Sequence, residues 1–194
     1  MRIVAGAYKG RNLLSPPKGA VTRPITGMAK ESLFQILAPR MPDAVVADLY
    51  SGTGTLGLEA LSRGAALACF AERAAGVVAR LRRNIEQLGV EERCIVWRGN
   101  VETQLARWLS ELSRPVDVAF VDPPYAAARR WDWAQAERRL FDPLAAALSP
   151  EGTVALRLPA DVVIPERVGA LAVGRMKQYG DMTVALLRAA EEGG

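Results

Sequence analysis

From residue 43 onward, short apolar runs alternate with amphipathic stretches, and this alternation constrains the fold more than any single motif. Runs at 45–49, 67–72, 94–97, 116–121 and 153–158 have the length of buried strands. Between them lie expected helices at 55–63, stopped by Gly64, at 74–88, closed by Gly89, and at 101–112. In the second of these, Val77, Val78, Leu81, Ile85 and Leu88 recur at helical spacing. Strand and helix in regular succession build parallel βαβ units, because a parallel neighbour is reached only through a crossover. Residues 131–148 read as one more helix, which Pro143 kinks or splits. The last two strands, at 171–178 and 183–188, turn at Tyr179-Gly180-Asp181, too short a link for a crossover helix. The last strand is therefore antiparallel. The expected fold is α/β: a mostly parallel seven-stranded sheet with an antiparallel last strand and helices on both faces.

Ahead of this core, residues 2–5 and 11–14 flank a Gly-rich turn and predict a small β-hairpin. A Ser15-Pro16-Pro17-Lys18-Gly19 linker and a helix at 26–37, capped by Thr26, follow. The expected division is a basic arm over 1–25 and one larger domain over 26–194. Of 25 Lys/Arg and 21 Asp/Glu, seven bases and one acid fall in residues 1–40, so the positive charge belongs to the arm and the remainder is slightly acidic. A polyanion is its natural partner, with Arg2, Lys9, Arg11, Arg23 and Lys30 as candidate phosphate contacts. The two cysteines sit in apolar runs and the chain has no histidine, which argues against a disulfide framework and excludes metal ligation by His. The start lacks the apolar stretch of a signal peptide and no apolar run reaches the ~18 residues of a membrane span. The expectation is a cytoplasmic protein with no membrane segment and no metal.

Two motifs carry chemistry. Asp48-Leu-Tyr-Ser51-Gly52-Thr-Gly54-Thr-Leu-Gly57 is a glycine-rich loop between the first strand and its helix, where backbone amides approach a ligand at a helix N-terminus. The glycine pattern alone also suits NAD or FAD. Its context differs: Asp48, at the strand end, repels a pyrophosphate but suits an ammonium. Glu72 closes the second strand, where an acid accepts from ribose hydroxyls, and Asn100 follows the third, in reach of an adenine edge. Amino acid, ribose and adenine together describe S-adenosylmethionine. Each residue also has an ordinary use: the glycines in helix packing, Glu72 in pairing with Arg73 or capping, Asn100 in capping the helix that begins at Val101. The second motif is Asp122-Pro123-Pro124-Tyr125, after the strand at 116–121. It sets a carboxylate, a rigid turn with a free carbonyl and an aromatic ring at the sheet edge where α/β proteins bind ligands. Such a group grips a planar amine; its ordinary alternative is a turn that ends a strand.

At these residues the chain resembles the Rossmann-like class I S-adenosylmethionine-dependent methyltransferases, in particular the RsmD family that methylates N2 of one guanine in 16S ribosomal RNA. The resemblance runs through Arg2-Ile3-Val4 with Gly6 and Lys9-Gly10-Arg11, Thr22-Arg23-Pro24-Ile25-Thr26, Glu31-Ser32-Leu33-Phe34, Gly57-Leu58-Glu59-Ala60-Leu61-Ser62-Arg63-Gly64 and Phe120-Val121 before Asp122. It implies S-adenosylmethionine as cofactor, held by Asp48, Ser51, Gly52, Gly54, Gly57, Glu72, Arg73, Asn100 and Val101. It implies Asp122, Pro123, Pro124 and Tyr125 as catalytic residues, and Arg2, Lys9, Arg11, Arg23, Thr26 and Lys30 on the RNA side. It further implies a monomer acting on the small ribosomal subunit or an assembly intermediate. Two positions depart from the family, Gly27 and Arg157, both often acidic there. Arg157 is expected to leave the methyl-transfer site untouched. Methylation of adenine N6 or of a protein glutamine, and a non-catalytic RNA-binding role, are the competing functions; a nicotinamide oxidoreductase fits Asp48 poorly.

Overall fold

A computed structural model describes residues 1–17 and 25–190. Five parallel strands form the first part of the sheet: β1 (Val45–Leu49), β2 (Leu67–Glu72), β3 (Cys94–Arg98), β4 (Val116–Val121) and β5 (Leu148–Pro159). Three more follow: β6 (Arg167–Val168), β7 (Leu171–Tyr179) and β8 (Met182–Ala189). The order is β3-β2-β1-β4-β5-β8-β7-β6, with β8 antiparallel to both β5 and β7. The strand reversal between β3-β2-β1 and β4 opens a crevice at the carboxyl edge. The sheet has eight strands rather than seven, because two residues after Pro165 pair with the start of β7. So short a strand carries no periodicity to read.

Helices α1 (Gly27–Leu37), α2 (Thr55–Ser62) and α3 (Ala75–Leu88) pack on one face, and α4 (Val101–Ser110) packs on the other with the short helices after β4. Strand β1 is buried along its whole length and supplies both cores by alternation: Val45, Ala47 and Leu49 go to one, Val46 to the other. A short α5 (Tyr125–Ala128) follows β4. The expected 131–148 helix forms as one run over 133–147: α6 (Trp133–Ala136), a π-type turn at Glu137–Phe141 and α7 (Asp142–Ala147) follow one another without a non-helical residue. Pro143 stands near the start of α7, and the irregularity in the run lies just before it, in the π-type turn that buries Leu140 and Phe141.

The expected hairpin is short: around the bridge pair of Arg2 with Asn12, the Leu13 amide donates to the Met1 carbonyl at 2.7 Å, that of Ile3 to the Arg11 carbonyl at 3.0 Å and that of Gly10 to the Ile3 carbonyl at 3.0 Å. Its edges are committed elsewhere: Glu59 accepts from the Val4 and Ala5 amides, Ser62 from those of Ala7 and Tyr8, and Asn84 from that of Leu14. Ile3 and Leu13 are buried in the core that holds Phe34 and Leu61. Residues 1–14 are thus bound tightly along α2 and α3.

Among the described residues no helix is long and apolar enough to cross a membrane. Both cysteines are free thiols, and burial pushes each up to about 12, which keeps them protonated and unreactive.

Candidate active site

Parallel register brings the site residues to one row. Leu49 lies opposite Ala71 on one side and Val121 on the other, and Val121 lies opposite Leu156. The next residue along each strand therefore faces the crevice: Tyr50, Glu72, Asp122 and Arg157. Tyr50 makes the turn with φ of 60°, a left-handed conformation that costs a non-glycine residue of order 1–3 kcal/mol. Sequence reading missed this residue. Burial and the nearby Glu102 carboxylate push its phenol above the ordinary range, so it stays neutral.

The glycines of the loop divide their work. A Cβ on Gly54 would meet Leu81 at 2.5 Å, and one on Gly57 would meet the Phe70 ring at 2.3 Å, so these two let α2 and its loop close on the sheet. Gly52, with φ of 56°, has nothing within 4 Å of the place of a Cβ. Its backbone faces open space. The Ser51 and Thr53 hydroxyls beside it are buried without a hydrogen-bond partner, a costly state that a polar ligand would relieve.

The carboxylates differ in accessibility. Asp48 is only 1 % exposed and accepts from the Gly57 amide at 2.8 Å. Burial raises its pKa well above the carboxylate range, the Gly57 hydrogen bond opposes this, and the charges of Asp122 and Glu72 add to it. The carboxyl expected to meet an ammonium is buried and turned inward, where it holds the start of α2. Half-buried Glu72 accepts from the Gly52 amide at 3.2 Å and from the Ala74 amide at 2.8 Å. A carboxylate offers about four lone-pair sites, so acceptors remain for a diol. Asn100 caps α4 through the Glu102 amide, while Val101 is core and Arg73 is exposed.

Asp122 continues β4, its amide reaching the Leu49 carbonyl at 3.4 Å. Pro123 is buried, and Pro124 leads into α5, which begins at Tyr125. The Asp122 carboxylate is held in a fork by Arg157: Nε donates to Oδ1 at 2.7 Å and Nη2 to Oδ2 at 2.8 Å. The same guanidinium lies 5.6 Å from the Tyr125 ring centroid. The expectation that Arg157 leaves this site untouched is overturned, because β5 neighbours β4 with Leu156 opposite Val121, the residue before Asp122. Burial raises the Asp122 pKa while the charge and hydrogen bonds of Arg157 lower it. Arg129, gripped by Asp161 at 2.7 and 3.2 Å, lies 5.8 Å from the Tyr125 ring centroid. Trp131 and Trp133 pack against Phe141 rather than standing over the crevice. Beside Trp131 a cleft of about 250 Å³ runs between Glu102 on α4 and Arg130, Asp132 and Gln135. No linear motif marks it.

On the arm, Arg2, Lys9 and Arg11 are exposed. Lys30 is corrected: it is 4 % exposed, ion-paired to buried Glu59 at 2.9 Å and donating to the Arg2 carbonyl at 2.7 Å, so it has no charge to spare for a phosphate. Thr26 accepts from the Ala29 amide at 3.3 Å as a helix cap. Arg23 lies outside the described residues.

Comparison with known proteins agrees with this geometry. The family model described as "Conserved hypothetical protein 95" matches residues 1–188. The chain is 31% identical over 188 residues to "Putative rRNA methyltransferase YlbH" of Bacillus subtilis, covering 97% of this chain and 98% of that one. It is 36% identical over 125 residues to "Ribosomal RNA small subunit methyltransferase D" of Escherichia coli K12, covering 64% and 60%. Among solved structures, "Putative methyltransferase yhhF from Escherichia coli" superposes with a TM-score of 0.80 at 30% identity, covering 99% of each chain. The chain belongs to the conserved hypothetical protein 95 family and is an RsmD-like methyltransferase.

Proposed function

We propose that this protein transfers a methyl group from S-adenosylmethionine to the exocyclic N2 of a guanine in small-subunit ribosomal RNA. The observation that carries the reading is the placement of Asp122-Pro123-Pro124-Tyr125 at the carboxyl edge of β4, in the row that also holds the glycine loop of β1. The residues around that loop fit the cofactor: open backbone at Gly52, two orphaned hydroxyls at Ser51 and Thr53, and spare lone pairs on Glu72. When bound, the cofactor supplies a methyl group on a cationic sulfur that is already electrophilic.

What remains for the chain is positioning and charge. The guanine amine is a weak nucleophile because its lone pair is delocalised into the ring. Hydrogen bonds from its two N–H groups to the Asp122 carboxylate and the Pro123 carbonyl favour a pyramidal nitrogen, and both acceptors stabilise positive charge as it develops there. With the cofactor held at Ser51, Gly52, Thr53 and Glu72, the amine would take its methyl group, the sulfur would keep the bonding pair, and the methylated amine would shed a proton. Tyr125 provides an aromatic face for the base, and a paired guanine must leave its stack to reach it. On the RNA side, Arg2, Lys9 and Arg11 supply phosphate contacts that set position rather than sequence.

The test is transfer of tritiated methyl from S-adenosylmethionine to naked ribosomal RNA, small subunits, DNA and protein, followed by nucleoside analysis. Label in N2-methylguanosine is expected; label in N6-methyladenosine or in protein overturns the substrate. A second measurement addresses the arm. The triple change Arg2→Ala, Lys9→Ala, Arg11→Ala is expected to reduce the slope of log affinity for RNA against log salt by about two units, from ~0.7–0.9 per lost phosphate contact. An unchanged slope moves the RNA surface elsewhere.

A further inference from the structure

We infer that Arg157 is a positioning residue for methyl transfer: its guanidinium fixes both oxygens of Asp122 so that their remaining lone pairs face the incoming amine. The inference rests on the function proposed above. A carboxylate has about four lone-pair sites, and a forked guanidinium takes one on each oxygen. With Nε on Oδ1 at 2.7 Å and Nη2 on Oδ2 at 2.8 Å, the carboxylate plane is set and cannot rotate. One site on each oxygen is left. The side chain of Asp122 keeps 18% exposure against 8% for Arg157, so the accessible edge of the pair belongs to the acceptor.

Arg157 is not placed to leave when a base arrives. Its strand is hydrogen-bonded on both sides, to β4 and to β8, with Arg157 opposite Val184. Nη1 lies 3.8 Å from the Met182 sulfur. Withdrawing it would strand a buried carboxylate, a strongly unfavourable state. It is a fixture of the site, and its position beside the Tyr125 ring lets one cation orient both halves of the motif.

The charges around Asp122 make the role measurable. From β1 the buried Asp48 faces it, and from β2 Glu72 adds a further negative charge to the Asp48 environment. From α5 comes the Tyr125 ring, with Arg129 beside it already held by Asp161 and influenced by Asp181 in the β7–β8 turn. Arg157 is the cation that forks onto Asp122 itself, and it pulls the Asp122 pKa down against burial. If Asp122 must be ionised to accept the amine, activity falls as pH drops through its pKa. Losing Arg157 raises that pKa and moves the acid limb upward.

The experiment is a pH profile of kcat/KM for methylation of small subunits by the wild-type enzyme, Arg157→Met and Arg157→Lys, with S-adenosylmethionine affinity measured by calorimetry. Arg157→Met is expected to move the acid limb up by about 1–3 pH units, the usual effect of removing an adjacent opposite charge. Its cofactor affinity should stay within about threefold, since the loop residues that fit the cofactor belong to β1 and β2. Arg157→Lys keeps the charge but loses the fork. Its acid limb should stay near that of the wild type while kcat falls at least tenfold. An unmoved limb in a folded Arg157→Met, or full kcat in Arg157→Lys, overturns the inference; should Arg157→Met fail to fold, the lysine variant decides alone. If wild-type label goes to an atom other than guanine N2, the proposed function fails instead, and the relative limbs still judge Arg157 on the amine that is methylated.

Discussion

Asp122→Ala is expected to lower methyl transfer by at least about 10²–10³-fold, the range seen when a single group stabilising developing charge is removed from an active site. The substitution deletes the acceptor that the amine needs and also deprives the buried Arg157 guanidinium of both hydrogen bonds to that carboxylate. Breaking a buried pair from one side costs about 3–5 kcal/mol, so a fall in thermal stability is expected with it. Activity and folding must therefore be separated. Asp122→Asn does so, because an amide oxygen remains as acceptor at the same place while the negative charge is gone. Its loss should be smaller, roughly tenfold to 10²-fold, with S-adenosylmethionine affinity within about threefold of the wild type. Single-turnover rates at saturating cofactor, read beside melting curves, check both variants. A folded Asp122→Ala enzyme within tenfold of the wild type would remove Asp122 from the chemistry.

The same residue marks where sequence reading succeeded and where it stopped. Asp122 was legible because an apolar run followed by Asp-Pro-Pro-Tyr announces a strand end, and in a parallel sheet that end is a ligand edge. The glycine loop was legible for the same reason. Arg157 is 35 residues further along, and its contact depends on β5 lying beside β4 with Leu156 opposite Val121. Strand succession suggested the neighbour but not the register that aims the side chain. Whether a charge is accessible is not legible in sequence: Lys30 is buried against Glu59, and Asp48 is buried with the Gly57 amide on its carboxyl. The helix expected at 131–148 forms over 133–147, but the π-type turn inside it, which buries Leu140 and Phe141, is chosen by packing, to which propensity is blind. Parallel strands and crossover helices are set by local pattern and chain connectivity, whereas a side chain's partner is set by tertiary register.

Glu59→Ala is expected to be the most destabilising single change outside the catalytic edge, because one fully buried carboxylate organises the whole junction between arm and domain. Its oxygens accept from the Val4 amide at 2.9 Å, the Ala5 amide at 3.1 Å, Lys30 Nζ at 2.9 Å and Arg63 Nε at 2.9 Å. Four donors lose their acceptor at once, one of them a 4 %-exposed ammonium. The cost should be about 3–5 kcal/mol, a large share of the ~5–15 kcal/mol that holds a domain together. At ~2–4 °C per kcal/mol for a chain of this size, the melting temperature should fall by roughly 10 °C. Glu59→Gln keeps acceptor oxygen but loses charge, and should fall less. Adding Lys30→Met to Glu59→Gln removes the stranded cation and should restore part of the loss. The arm must loosen in parallel, since Val4 and Ala5 are tied to the domain through this side chain, so hydrogen exchange at their amides should accelerate before the sheet opens. If Glu59→Ala melts with the wild type and those two amides keep their protection, the segment is held by the packing of Ile3 and Leu13 and by Ser62 and Asn84. In that case the basic residues it carries owe their placement to those contacts, not to the buried charge.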